Sequence, residues 1–200
     1  MKVEGEVSML KRVFRGLVVA MLLVGVAVAG PFEDGNAALE SGDYAQAVQW
    51  YRLAADQGNV LAQSNLGLMY QSGLGVPQND TEASKWYRLA ADQGNAYAQS
   101  NLGFMYHNGQ GVPQDYVQAS KWYRLAADQG NAYAQSNLGV MYAKGEGVPQ
   151  DYVLAHMWLN LAAAQGQAEA VKNRDLAASK MTRDQLAEAQ RLARDWKPSR

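Results

Sequence analysis

The chain has 200 residues, is 48% apolar and 18% charged, and carries a formal net charge of −1. That balance belongs to a folded protein, and near-neutrality argues against a nucleic-acid binder held by phosphate neutralisation. Cysteine is absent, which excludes disulfides, thiolate metal sites and a cysteine nucleophile.

The N-terminal stretch reads as a leader. Lys11, Arg12 and Arg15 precede an uncharged run from Gly16 to Ala29 that ends Ala27-Val28-Ala29. A basic start, a short apolar core and a small-x-small exit form the pattern of a secretory signal peptide. The run is shorter than the roughly 20 residues that span a bilayer. Residues 1–29 are therefore expected to be a signal peptide, with an uncleaved anchor as the alternative. Glu4 and Glu6 precede the basic cluster, so translation is expected to start at Met9 and cleavage to follow Ala29. The mature chain would carry a net charge of −3.

Beyond the leader the chain repeats. Trp50, Trp86, Trp122 and Trp158 recur every 36 residues, a period that marks a stacked array of hairpins. The units are an opening hairpin over 30–57, repeats over 58–93, 94–129 and 130–165, and capping helices over 166–200. In each repeat the spacing predicts a first helix (Val60 to Ser72, Ala96 to Asn108, Ala132 to Lys144) and a second (Asp80 to Asp92, Tyr116 to Asp128, Tyr152 to Ala164). Ala62, Leu66 and Tyr70 lie on one stripe of a 3.6-residue period, and Ala83, Trp86, Tyr87, Ala90 and Ala91 on another.

The punctuation agrees with these bounds. Asp43, Asn79, Asp115 and Asp151 stand where the second helices begin, and Asn59, Asn95 and Asn131 where the first helices begin; such side chains accept from free N–H groups of the first turn. Gly58, Gly94, Gly130 and Gly166 follow the second helices, where a left-handed residue closes a helix. The inter-helix loops GLGVPQN, GQGVPQD and GEGVPQD start at Gly73, Gly109 and Gly145. They follow a helix and lack the Lys-Ser/Thr of a phosphate loop, so they read as structural turns. Their valines are expected to tuck under the turn, and Pro77, Pro113 and Pro149 to stiffen it.

Gly67, Gly103 and Gly139 lie inside helices, at about 1 kcal/mol each relative to alanine. Close approach of the partner helix is the expected benefit, with its tryptophan wedged against the glycine. Arg52, Arg88 and Arg124 precede Asp56, Asp92 and Asp128 by four residues, the spacing of exposed helical ion pairs.

After Gly166 the pattern decays, and Arg174 and Asp175 stand where Leu66 and Gly67 stand in the first full repeat. A polar terminal unit is what covers the end of a repeat core. Thr182 and Gln185 fit a capping box that opens a last helix from Arg183 to Trp196, with Leu186, Ala189, Leu192 and Ala193 on its apolar stripe. Residues 30–166 carry a net charge of −6 and residues 167–200 carry +3. This end is a solvated cap or a contact for an acidic partner or anionic surface.

Catalytic motifs are sparse. His107 and His156 have no partner at ligand spacing, so no metal and no cofactor is expected. The only Ser-x-x-Lys runs from Ser8 to Lys11, in or before the leader, so a serine hydrolase of the β-lactamase type lacks its motif in the mature chain.

The order Ala-Gln-Ser-Asn-Leu-Gly-x-Met-Tyr, Gly-x-Gly-Val-Pro-Gln-Asp, Ala-Ser-Lys-Trp-Tyr-Arg-Leu-Ala-Ala-Asp-Gln-Gly closely resembles the Sel-1-like repeat, a relative of the tetratricopeptide repeat with a longer inter-helix loop. The resemblance covers Tyr44 to about Gly166; the opening segment from Gly35 to Tyr44 looks more like a plain tetratricopeptide hairpin. It implies an all-α fold, a right-handed solenoid of about five antiparallel hairpins, used as an adaptor for other proteins. Some exported bacterial members are disulfide-stapled and are associated with a penicillin-directed hydrolase activity; this cysteine-free chain departs from that pattern.

The first helices are expected to line the concave face with a stripe beside the core: Leu61, Ser64, Asn65 and Leu68, then Tyr97, Ser100, Asn101 and Phe104, then Tyr133, Ser136, Asn137 and Val140. Aromatic area at low entropy cost beside amides that bond a backbone in both senses suits a peptide groove. In tetratricopeptide relatives an asparagine at the place of Asn65, Asn101 and Asn137 contacts ligand peptides; the alternative is that these residues tie neighbouring helices together. The expected function is a non-catalytic, exported adaptor in the periplasm or outside the cell. It would bind a protein or peptide and no nucleic acid, and meet a membrane only through its leader; an envelope complex is a further setting. A periplasmic hydrolase of β-lactams or cell-wall peptides is the second reading.

Overall fold

The computed structural model describes residues 30–199. The leader expected at residues 1–29 lies outside them. Ten helices occur among the described residues: α1 Pro31–Glu40, α2 Tyr44–Asp56, α3 Val60–Ser72, α4 Asp80–Asp92, α5 Ala96–Asn108, α6 Tyr116–Asp128, α7 Ala132–Lys144, α8 Tyr152–Ala164, α9 Ala168–Ala178 and α10 Arg183–Asp195. The bounds of α3 to α8 are those the spacing predicts, because the caps act as expected. Asn59, Asn95 and Asn131 accept from the N–H groups of Ala62, Ala98 and Ala134. Asp43, Asn79, Asp115 and Asp151 accept from Gln46, Glu82, Gln118 and Leu154. Thr182 and Gln185 form the capping box of α10, which ends one residue early, with Trp196 as its C-cap.

The helices stack into an α-solenoid. The pairs α1–α2, α3–α4, α5–α6 and α7–α8 form hairpins, and each second helix also packs on the first helix of the next hairpin. First helices of successive repeats touch one another, α3 with α5 and α5 with α7, so they form the inner row. The last pair departs from the pattern: α9 and α10 each dock on α8 rather than on one another. Among the described residues, four hairpins and a two-helix cover make up the array expected to hold about five hairpins. The chain end is strapped back, with Trp196 edge-on to Trp158 at 6.2 Å and the Ser199 N–H donating to the Asp128 carbonyl at 2.7 Å.

The glycine notches are real, but the tryptophans do not fill them. A Cβ on Gly103 would lie 2.8 Å from the Tyr123 ring, one on Gly67 would strike the Tyr87 ring, and one on Gly139 would lie 2.7 Å from Leu159. The wedge is the residue after each tryptophan, about 100° further round the helix. Tyr51, Tyr87, Tyr123 and Leu159 are fully buried, whereas Trp50 and Trp86 are only partly so. The indoles instead close seams between hairpins: Trp122 packs on the cluster of Ala83, Tyr87, Ala90, Leu102 and Met105. Burial raises the phenol pKa of both Tyr87 and Tyr123, so both rings serve as neutral core.

The second glycine of each loop makes a contact that spacing did not reveal. Gly75, Gly111 and Gly147 have positive φ, and a Cβ on any of them would collide with the backbone carbonyl of Tyr44, Asp80 or Tyr116 respectively. Each is the first residue of the second helix in the preceding hairpin. The loop of one unit therefore presses directly onto the unit before it. The valines follow as expected: Val76, Val112 and Val148 are partly buried against the core.

Two polar arrangements complete the seams. Gln63, Gln99 and Gln135 are buried and donate through Nε2 to the carbonyls of Ala55, Ala91 and Ala127 at 3.2, 3.1 and 3.2 Å. Their Oε1 atoms accept from Gln93, Gln129 and Gln165 at 2.7, 2.7 and 2.8 Å. This ladder satisfies amides that would be costly if buried alone. The arginines form the second arrangement and correct a sequence expectation. Arg52, Arg88 and Arg124 do not pair with the aspartates four residues on; they donate to the hydroxyls of Tyr70, Tyr106 and Tyr142 on the next first helix. Arg88 also lies over the Trp122 ring at 4.9 Å, a cation–π contact of about 0.5–2 kcal/mol.

Two measurements test these seams. Gly111→Ala is expected to destabilise more than Gly109→Ala in chemical denaturation. Both demand a left-handed alanine at about 1–2 kcal/mol, but at Gly109 the nearest neighbour is Gln114 at 3.3 Å, whereas at Gly111 the neighbour is fixed backbone. Overpacking adds about 1–3 kcal/mol there. Gln99→Leu removes both of that side chain's hydrogen bonds, at about 0.5–1.5 kcal/mol each, while the Ala91 carbonyl keeps the Gly94 N–H and Gln129 Nε2 keeps the Leu125 carbonyl. Hydrogen exchange should localise the loss to α4–α6, since a linear array transmits little beyond its neighbours.

Candidate functional site: the inner face of the solenoid

The inner row is built from α3, α5 and α7. Asparagine caps start each helix and a left-handed glycine (Gly73, Gly109, Gly145) ends it, so the three present equivalent faces in one register. Asp, Glu and Arg are absent from these helices, and Lys144 at the end of α7 is their one lysine. An uncharged face attracts no partner by long-range steering and favours contact through apolar area and neutral hydrogen bonds.

The twelve residues expected on the stripe divide into three groups. Leu61, Leu68, Tyr97, Phe104 and Tyr133 are exposed, Tyr133 most of all at 66%, while Val140 is half-buried. Asn65, Asn101, Ser136 and Asn137 are also half-buried. Asn101 and Asn137 donate through Nδ2 to the carbonyls of Tyr97 and Tyr133, at 2.9 and 3.0 Å, one turn back on their own helices. That bond orients each amide and leaves Oδ1 as the group available outward. Ser64 and Ser100, at 4% and 8% exposure, lie in the helix-packing layer and present almost nothing to a ligand. Tyr97 also packs edge-on to Tyr87 at 6.4 Å, which couples the exposed ring to the wedge beneath it.

An apolar hollow of about 200 Å³ adjoins the C-terminal end of this face, between Val140, Ala143, Tyr152, Leu176 and Ala177. Its rim carries Lys144 and Lys180. Residue spacing could not find it, because it forms between the last regular first helix and α9, where the repeat is already broken.

The histidines are placed apart. His107 meets Glu146 at 3.3 Å and packs edge-on to Tyr116 at 5.1 Å, a partner 39 residues away that spacing along one helix does not disclose. His156 is buried on α8, and burial, with Arg174 close by, lowers its pKa against the opposing pull of Asp175. Among the described residues no group of three or more His, Asp and Glu side chains is placed to hold a metal ion. No described helix is long and apolar enough to cross a membrane.

Two of the solved structures that resemble the chain show the extent of the likeness. A Sel1 repeat protein from Oxalobacter formigenes is 36% identical, with a TM-score of 0.69, over 74% of this chain and 59% of that one. The protein c5321, a protective antigen present in uropathogenic Escherichia coli strains and displaying an SLR fold, is 31% identical, with a TM-score of 0.58, over 83% of this chain and 44% of that one. The chain thus spans about three-fifths and less than half of those two lengths. No curated protein matches it significantly. The Sel1 repeat model matches residues 19–59, 60–95, 96–131 and 132–167. Repeats of this kind generally mediate protein–protein interaction, and with four matches covering most of its length the chain belongs to the Sel1 repeat family.

Proposed function

We propose that the protein is an exported, non-catalytic adaptor that holds an uncharged segment of another protein along α3, α5 and α7. One observation carries the reading: five large apolar side chains, Leu61, Leu68, Tyr97, Phe104 and Tyr133, stay exposed on a face that lacks Asp, Glu and Arg. Exposed apolar rows of this kind mark interaction surfaces. The oriented amides of Asn101 and Asn137 supply acceptors for a bound backbone. Export is supported by the leader pattern at residues 10–29 and gives the periplasm or the extracellular space as the setting.

A photo-reactive residue in place of Phe104 should crosslink to one dominant protein in the envelope fraction; the same residue in place of Leu125, exposed on α6, should not. With that partner purified, Tyr133→Ala combined with Phe104→Ala should weaken binding at least tenfold. The melting temperature should move by only a few degrees, since neither side chain is part of the buried core, Tyr133 being 66% and Phe104 41% exposed. Unchanged affinity, or unfolding of the double variant, would remove the inner face as the binding site.

A further inference from the structure

The repeat is its own reference, because each position of the last unit can be set against two or three earlier copies. Five departures converge on one place. His156 replaces Ser84 and Ser120, Asn160 replaces Arg88 and Arg124, and Ala178 replaces Tyr70, Tyr106 and Tyr142. Arg174 replaces Leu66, Leu102 and Leu138, and Asp175 replaces Gly67, Gly103 and Gly139. All five line one open cleft of about 400 Å³ between α8, α9 and α10, with Leu186 on its far wall.

In the inner units this slot is full. An arginine on the second helix donates to a tyrosine hydroxyl on the next first helix and lies 5.5 Å from the centre of its ring. In the last unit both large groups are gone, yet a guanidinium returns from another direction. Arg174 donates from Nε and Nη2 to Asp175 at 3.0 and 2.8 Å, and from Nη1 to Asn160 Oδ1 at 3.4 Å. His156, only 4% exposed, lines the cleft, and its Nδ1 has no hydrogen-bond partner. A buried imidazole nitrogen without a partner is costly unless something completes it. The last unit thus keeps the cation, lacks the phenol and adds an unpartnered hydrogen-bonding atom.

We propose that this cleft binds a phenol ring, seated where the regular repeats place their own tyrosine, with its hydroxyl on His156 and its face toward Arg174. The ring comes from a free small phenol or from a tyrosine side chain of a bound protein, and both sources use the same contacts. The site is separate from the inner face, so either proposal can fail alone.

The test uses the full chain and p-cresol, followed through the imidazole NMR signals; the chain has two histidines, and His107 is the internal control. p-Cresol should shift the His156 signals saturably and leave those of His107 in place, and toluene should bind at least fivefold more weakly. N-Acetyl-tyrosinamide distinguishes the sources: tighter binding than p-cresol points to a protein tyrosine, weaker binding to a free phenol. The variant Asn160→Arg with Ala178→Tyr refills the slot with the repeat's own residues and should reduce p-cresol affinity at least tenfold. Should that variant misfold, nuclear Overhauser contacts from the p-cresol methyl to Leu186 in the unmodified chain decide the matter. Absence of a saturable shift, equal binding of toluene, undiminished binding by the folded refilled variant, or absence of those contacts would each overturn the proposal.

Discussion

In the regular repeats each hairpin and each step to the next is set by a side chain or loop lying against bare backbone. Within a hairpin, the rings of Tyr87 and Tyr123 press on the Cα atoms of Gly67 and Gly103. Between hairpins, Gly75, Gly111 and Gly147 press on the first carbonyl of the preceding second helix. Backbone is the least compliant surface a protein offers, and close-packed interiors transmit small displacements rather than absorb them. Two such contacts per unit fix both the spacing inside a hairpin and the step to the next. The inner row then inherits its register: Tyr97 and Tyr133 stand in equivalent places because the seams beneath them are equivalent. A face that binds by shape needs that regularity, since apolar contact is non-directional and only rigid placement makes it selective.

The helices were legible in the sequence almost residue by residue, because their ends are marked by chemistry that acts locally. Asn95 needs only the N–H of Ala98, three residues on. What failed was the choice between neighbours that recur together. Trp86 and Tyr87 have the same 36-residue period, so recurrence could not say which one faces the glycine. The fourth copy shows the difference between the roles: Leu159 takes the tyrosine's place in the notch, while Trp158 is kept at the seam. The arginines misled for a related reason. A local rule supplied an aspartate four residues away, but Arg88 gains more from a phenol 18 residues on, partly shielded from water and stacked beneath Trp122. Exposed helical ion pairs are worth only tenths of a kcal/mol, too little to hold it.

The candidate surface was legible in part. Alternation along the first helices placed Tyr97, Phe104 and Tyr133 outward, but it could not separate Ser100 from Asn101. The two are adjacent in sequence and differ in depth by about 100° of helical rotation. Nor could the glutamine ladder be read forward. Gln63 and Gln93 recur in every copy, yet a glutamine on a helix is usually solvated, and only the placed seam reveals that each is the other's partner.

The end of the array asks for a different explanation from its middle. Ending a solenoid requires polar groups on the outer surface of the last helices, and Lys172, Arg183 and Arg194 meet that need in the open. It does not require a histidine that is almost wholly buried, nor an arginine that replaces a fully buried core leucine beside it. Nor does it require the loss of a tyrosine whose slot is left unfilled. Covering a core adds bulk; here bulk is removed at Asn160 and Ala178, while the larger side chains of His156, Arg174 and Asp175 are all polar and stand beside the gap they leave. A buried polar atom without a partner lowers stability, and the one at this cleft, His156 Nδ1, is the reverse of what a pure cap would contain. The departures are coherent in space although scattered over 156–178 in sequence, and this coherence separates a shaped site from the gradual decay of a repeat.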